Sequence, residues 1–334
     1  VGLLDLTSFS KYEISGSDAE SFLNRISANR IPKLNSGSSG GGGVALVHML
    51  TELGGIECEA TITRLEQNLF YMLSAAVAEI HDYDWLDLQI LPAENVSIRN
   101  LTNDFGVLVI SGPRSRDVLS KLTDADLSNE AFRWMSGKSI EVSGIPVRAL
   151  RVSYVGELGW ELHHPLAKME TLYDALMDSG AEYGIANFGT YAMNSLRMEK
   201  AYKGWGVELT TEITPMEAGL ERFVDFSKCF LGREATLSRK LLGITTKLVY
   251  VSVETSDSDC LGNEPVLDGE QIIGVTTSGA YGHSVKQSLA FAYVKPQYAE
   301  PGTKFEIRLL GQKHFATVLK DAAYDPQNLR LRDV

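Results

Sequence analysis

Residues 54–65 read GGIECEATITRL, and the alternation after the two glycines orders everything around it. The spacing predicts a β-strand. Cys58, Ala60 and Ile62 then share one face, while Glu57, Glu59, Thr61 and Thr63 share the other. Gly54-Gly55 suits the turn of a hairpin whose first strand is residues 44–50. Residues 69–73 supply a third strand, and residues 3–6 and 11–14 supply two more ahead of it. Between them, GSDAESFLNRIS (16–27) opens on a capping signal and spaces Ala19, Phe22, Leu23 and Ile26 as one helical face. Residues 35–43, NSGSSGGGG, have the composition of a flexible loop tip or linker.

Farther along, residues 77–88 read as a helix and residues 105–110 as an apolar strand that turns at SGPRSRDVLSKL (111–122) into another helix. Residues 147–154 and 160–163 form a hairpin about 155–159, and helices follow at 167–180 and 189–202. The composition changes near 235–246. From residue 247 onward short strands and turns dominate, in KLVYVSVET, GVTTSGAY, SLAFAYV and KFEIRLLGQKHFATVL, the rhythm of a small β-barrel or sandwich. SGAYGHS reads as a glycine turn. The class is α+β, with a β-rich C-terminal part.

The 334 residues are 44% hydrophobic and 22% charged, which is globular and long enough for two or three domains. A net charge of −12 argues against nucleic acid as partner. Cys58, Cys229 and Cys260 form no CxxC pair, so neither a disulfide framework nor a structural zinc site is expected. His163 and His164 are neighbours on a strand, point apart, and make a poor metal chelate. Cys58 lies on the apolar face of its strand, which disfavours a catalytic thiolate. Nucleotide loops (GxGxxG, GxxxxGK[ST]) are absent. The sequence has no apolar run of the roughly 18–20 residues that span a bilayer and no signal peptide. Because it opens on Val1, a longer precursor or upstream region is expected.

Two stretches carry candidate chemistry. In SYVGELGWEL (153–162), Trp160 and Leu162 take one face, Glu161 and His163 the other, and Tyr154 stands beside the turn. In FGTYAMNSLRMEKAYKGWG (188–206), Ala192, Met193 and Leu196 supply a core stripe. Arg197 and Glu199 cannot share a helix face and must do separate jobs. Arg197 wants an acidic partner, either a protein carboxylate or a carboxylate ligand.

VGLLDLTSFSKYEISG, HMLTELGGIECEATITRL, ISGPRSRDVL, SYVGELGWEL, NFGTYAMNSLRMEKAYKGWG, TPMEAGLERFV, FLGREA and TTSGAYGHSVKQSLAFAYV occur in one order. Together they resemble the folate-binding aminomethyltransferase region of the dimethylglycine and sarcosine dehydrogenase family, relatives of the glycine cleavage T-protein. The resemblance implies a cloverleaf of three subdomains around a central channel. Residues 1–240 would form two of them, and 246–332 the C-terminal β-barrel. It implies tetrahydrofolate as ligand and capture of a methylene iminium or formaldehyde equivalent from an N-methyl amino acid, giving 5,10-methylenetetrahydrofolate. By motif position, Glu59 is the catalytic carboxylate, where many relatives have Asp, and Glu57 faces water. Glu161 receives the pterin edge, Tyr154 packs or hydrogen-bonds nearby, and Arg197 lies near the folate. Trp205 and Lys203 stand at the rim. FAD would belong only to an upstream flavin domain, whose fingerprint this chain lacks. The setting implied is the mitochondrial matrix for a eukaryotic source and the cytoplasm for a bacterial one. Two rival readings use the same scaffold: a non-catalytic regulatory protein, as in a phosphatase regulatory subunit, and a folate-dependent O- or S-demethylase.

Overall fold

A computed structural model describes residues 1–34 and 41–332. In chain order the first part contributes β1 (Gly2–Asp5), β2 (Ser10–Ser15), α1 (Ala19–Ile26), β3 (Gly41–Leu50), β4 (Ile56–Glu66), β5 (Leu69–Ser74), α2 (Glu79–Leu88), β6 (Ser97–Asn100) and β7 (Phe105–Ser111). There follow α3 (Ser115–Ser120), β8 (Ser136–Val142), β9 (Ile145–Leu150), β10 (Gly159–Pro165), α4 (Met169–Gly180), β11 (Ala186–Asn187), α5 (Thr190–Glu199) and α6 (Arg233–Leu242). The eleven strands join in the order β11-β1-β7-β10-β9-β8-β3-β4-β5-β2-β6. The hinge of this arrangement is β3, whose glycine end pairs with β8 and whose remainder pairs with β4.

The last part is a closed barrel of β12 (Lys247–Val253), β13 (Pro265–Asp268), β14 (Gln271–Gly282), β15 (Gln287–Val294), β16 (Lys304–Leu309) and β17 (Gln312–Val318). Its closure through the β12–β17 pairing leaves no open sheet edge. The α+β class and the C-terminal barrel are thus both observed. Three apolar cores are large. One packs β7 and β10 against α4 through Ile110, Trp160, Leu162 and Leu176. The second packs β4 against α1 through Phe22, Leu23, Ala60 and Ile62. The third fills the barrel with Val251, Ala292, Ile307 and Ala316. Among the described residues no helix is long and apolar enough to cross a membrane.

Local sequence logic holds where burial reinforces it and yields where it does not. The α1 face is buried as read, through Ala19, Phe22, Leu23 and Ile26. Its cap is not: Asp18 makes no side-chain cap bond and instead accepts from Asn95 N at 2.8 Å. Each large apolar side chain buried there contributes about 1.5–3 kcal/mol, against about 1 for a cap, so packing holds the helix. In α5 the stripe shifts. Ala192 is exposed, and Arg197, Met198 and Glu199 are the buried residues, because the C-terminal turns wedge between β14 and the loop beyond.

The glycine run splits. Residues 35–40 lie outside the described residues, whereas residues 41–43 are strand, pairing with Lys138, Gly137 and Ser136. A Cβ on Gly42 would come within 1.8 Å of Arg64 O, so glycine serves a close crossing here rather than a loop tip. SGAYGHS is strand up to Gly282, not a turn, since β15 pairs along it residue by residue. The hairpin expected over 147–163 is looser than read. β9 ends at Leu150, and residues 151–158 form a loop in which Gly156 takes a φ of +78°.

Candidate functional site

Strand β4 has its two faces as the alternation requires. Cys58, Ala60 and Ile62 are buried, while Glu57 and Glu59 are partly covered on the other side. Glu59 sits directly opposite His48 on β3, and His48 Nε2 lies 2.9 Å from Glu59 Oε2. His48 is almost fully buried, and Asn29 Oδ1 accepts from its backbone N–H at 2.7 Å, so the imidazole is anchored from behind. Glu59 Oε1 takes no protein hydrogen bond among the described residues.

Glu57 is not turned to water. Its side chain is 12% exposed, close to the 17% of Glu59, because His81 on α2 reaches back to within 2.9 Å of Glu57 Oε1. His81 also meets Asp82 Oδ1 at 3.0 Å through Nδ1. Hydrogen bonding to Asp82, then the charges of Asp82 and Glu57, raise its pKa against the opposing effect of burial. Trp205 donates Nε1–H to Glu57 O at 2.9 Å, and its ring centre lies 6.2 Å from that of His81. Cys58, on the far side, is buried beside Asp82. Burial first, then the Asp82 charge, lift its thiol pKa well above the usual range, which leaves no thiolate nucleophile.

Tyr154 and Lys203 lie within electrostatic reach of Glu59, and Arg197 lies within reach of Tyr154. Tyr154 donates its hydroxyl to Lys203 O at 3.0 Å and stacks on Tyr202, with centroids 6.0 Å apart and planes at 21°. Burial raises the Tyr154 pKa; Arg197 opposes that rise, and Glu59 and Glu208 add to it. Burial lowers the Lys203 pKa, with Glu59 and Glu208 pulling the other way. The Arg197 guanidinium is 5% exposed. It donates to Asn194 Oδ1, Tyr202 O, Glu208 Oε2 and Ser278 Oγ, at 2.9 to 3.1 Å. Of the two partners left open for Arg197, the one observed is therefore a protein carboxylate. Glu208 is fully buried and also accepts from Gly204 N, Thr277 Oγ1 and Ser278 Oγ. Glu199, two residues on from Arg197, does a separate job as expected, accepting from Ser284 N at 2.6 Å.

Glu161 stands on β10 beside His163, at 3.2 Å between Oε2 and Nε2, with its other oxygen free of protein hydrogen bonds among the described residues. Trp160 and Leu162 are buried on the opposite face, as the alternation requires. No hydrogen bond or ion pair among the described residues joins Glu161 to the Glu59 group. A groove of about 830 Å³ on the barrel, lined by Asp259, His283 and Lys286 among others, contains none of these residues. Among the described residues, no group of three or more His, Cys, Asp or Glu could hold a metal ion.

His48 and Glu208 escape a reading of the sequence, and His163 enters it as a poor metal ligand and as a neighbour of Glu161 on one strand face. The signal for Glu208 was weak: a lone carboxylate in a glycine-rich loop. The signal for His48 was its place in the hairpin that carries Glu59.

Residues 1–228 match the GCVT N-terminal domain, and residues 247–325 match the glycine cleavage T-protein C-terminal barrel domain. Mouse mitochondrial dimethylglycine dehydrogenase is 41% identical over 99% of this chain, which spans 38% of that protein's length. An aminomethyltransferase of Caldanaerobacter subterraneus subsp. tengcongensis is 30% identical over 98% of this chain and 86% of its own length. The crystal structure of the glycine cleavage system aminomethyltransferase T from Bartonella henselae shares the fold, with a TM-score of 0.86 at 24% identity, covering 97% of this chain and 86% of that one. The chain belongs to the glycine cleavage T-protein family, carrying its N-terminal domain followed by its C-terminal barrel.

Proposed function

We propose that this chain is a tetrahydrofolate-binding one-carbon transfer module. It takes the methylene carbon of an oxidised N-methyl glycine of the dimethylglycine or sarcosine type and forms 5,10-methylenetetrahydrofolate. The observation that supports this best is a pair of partly covered carboxylates, Glu59 and Glu161, at the family's motif positions. Each is tied through one oxygen to a buried histidine and keeps the other oxygen free.

These residues fit the ligand's chemistry. A carboxylate such as Glu161 accepts parallel hydrogen bonds from the 2-amino group and N3–H of a pterin, with charge assistance. The Tyr154–Tyr202 stack offers an aromatic flank, and the Arg197 Nη2 group has one N–H left to donate. Trp205 is held at the rim by Glu57. Tetrahydrofolate, when bound, supplies the N5 and N10 nitrogens that take up the carbon. The chain's own part falls to Glu59. Its carboxylate stabilises positive charge as the carbon is handed over and accepts a displaced proton, and His48 holds it in place. Oxidation of the donor, and any FAD, belong in this reading to a separate flavin-bearing domain. A mitochondrial setting, that of the mouse relative, goes with it for a eukaryotic source.

Isothermal titration of the chain with tetrahydrofolate should give a saturable heat, and bound ligand should raise the melting temperature. A flat titration at millimolar ligand would overturn the proposal and favour a non-catalytic role for the scaffold. In the same assay Glu161→Gln is expected to weaken binding by about tenfold to a hundredfold, the worth of hydrogen bonds to a charged group. Undiminished affinity would remove Glu161 from the pterin contact.

A further inference from the structure

His163 has no part in the reading above beyond touching Glu161, yet it is fully buried and bonded on both ring nitrogens. Nε2 lies 3.2 Å from Glu161 Oε2, and Nδ1 lies 3.2 Å from the hydroxyl of Tyr71 on β5. Tyr71 is itself fully buried. Its ring meets the imidazole edge-on, with centroids 5.4 Å apart and planes at 89°, and Arg148 covers it at 4.9 Å. Tyr71 belongs to the half of the sheet that carries Glu59, and His163 to the half that carries Glu161, so the contact crosses between them. His164 takes no part: it points to the other face, against Gly106.

The protonation pattern follows from counting donors. Burial lowers the His163 pKa, with the hydrogen bond and charge of Glu161 opposing, which favours the neutral ring and its single N–H. With that proton on Nε2, both contacts are hydrogen bonds: Tyr71 donates to Nδ1, and Nε2–H donates to Glu161. With the proton on Nδ1, the Nε2 lone pair would face a carboxylate, and the Tyr71 O–H would be buried without an acceptor. Leaving a buried donor unmet is costly, and so is aiming a lone pair at an anion.

We infer that Tyr71, His163 and Glu161 form one hydrogen-bond relay, in which the Tyr71 hydroxyl and the Glu161 carboxylate together select the Nε2–H tautomer of His163 and His163 presents Glu161 to the ligand as an acceptor of fixed orientation. Tyr71 and His163 are then positioning residues for folate recognition, acting through Glu161, and this rests on the assignment of Glu161 made above.

The test combines a spectroscopic readout that needs no ligand with a binding readout that does. In the chain labelled with ¹⁵N-histidine, long-range ¹H–¹⁵N spectra report the tautomer of each imidazole, and His163→Gln assigns the resonance by its loss. His163 should appear as the Nε2–H form. Tyr71→Phe keeps the ring and its packing, and should leave the proton on Nε2, where Glu161 still accepts it, shift the Nδ1 resonance through loss of its hydrogen bond, and weaken tetrahydrofolate binding about tenfold, the worth of one buried hydrogen bond. His163→Gln, whose amide N–H can replace Nε2–H, should retain affinity, and His163→Leu should lose it to the same degree as Tyr71→Phe. An Nδ1–H signal in the unsubstituted chain, or an Nδ1 resonance indifferent to Tyr71→Phe, overturns the relay. An Nδ1 resonance that shifts while folate affinity stays constant overturns the ligand half of the inference, whereas the Glu161 assignment itself stands or falls on the Glu161→Gln titration.

Discussion

Glu59→Gln is expected to slow one-carbon transfer by about 10²- to 10⁴-fold, the range lost when a positioned acid or base is removed, and to leave tetrahydrofolate affinity unchanged. Glutamine matches glutamate in size, and His48 Nε2–H can still donate to its carbonyl oxygen, so the side chain keeps its place. What disappears is the negative charge and the ability to take a proton. Both matter more in a partly desolvated site, where charge is poorly screened. Formation of 5,10-methylenetetrahydrofolate from tetrahydrofolate and formaldehyde, followed by stopped flow above the spontaneous rate, measures the effect. Glu59→Asp keeps the charge but draws the carboxylate back from His48, so an intermediate rate is expected. Equal rates for the wild-type and Gln chains would remove Glu59 from the chemistry.

The largest effect on stability is expected at Glu208. This carboxylate is fully buried and accepts four hydrogen bonds, from Arg197, Gly204, Thr277 and Ser278. It thereby ties the end of α5, the loop over 203–208 and barrel strand β14 to one point. Glu208→Leu leaves the Arg197 guanidinium buried with its charge uncompensated. Removing one partner of a buried pair costs about 3–5 kcal/mol, which should lower the melting temperature by about 4–7 °C in a chain of this size. The double variant Arg197→Met/Glu208→Leu should recover much of that loss, because a matched apolar pair carries no orphaned charge. A Glu208→Leu melting curve that overlays the wild type would show that the barrel is held by its apolar contacts alone.

The site was legible in the sequence to the depth that alternation reaches. Period-two spacing is a local property of the extended chain, so it correctly sorted Glu59 from Cys58 and Glu161 from Trp160. It could not say what covers an exposed face. Glu57 was therefore read as solvated, when His81 and Trp205 close over it. The α5 stripe failed for a related reason. Helical periodicity finds the apolar face, but this helix buries charges because Glu208 and the Ser284 and Val285 amides are waiting for them.

By itself, the sequence determined the strands and their faces, the buried side of α1, the barrel rhythm after residue 247, and the motifs that mark the family. All of these depend on residues close together in the chain or on motif order. Tertiary structure alone decided the partners. Between Met49 and Leu50 the β3–β4 register shifts by one residue, and that shift sets His48 opposite Glu59. A regular hairpin would have set His48 opposite Cys58, on the other face of the sheet, because one residue of slip exchanges the two faces. Tyr71 and His163 lie 92 residues apart, and no local pattern encodes their meeting. A bulge and a long-range contact are settled by how whole sheets pack, and so the carboxylates and the shared face of Glu161 and His163 could be read from the chain while the meetings of His48 with Glu59 and of Tyr71 with His163 could not.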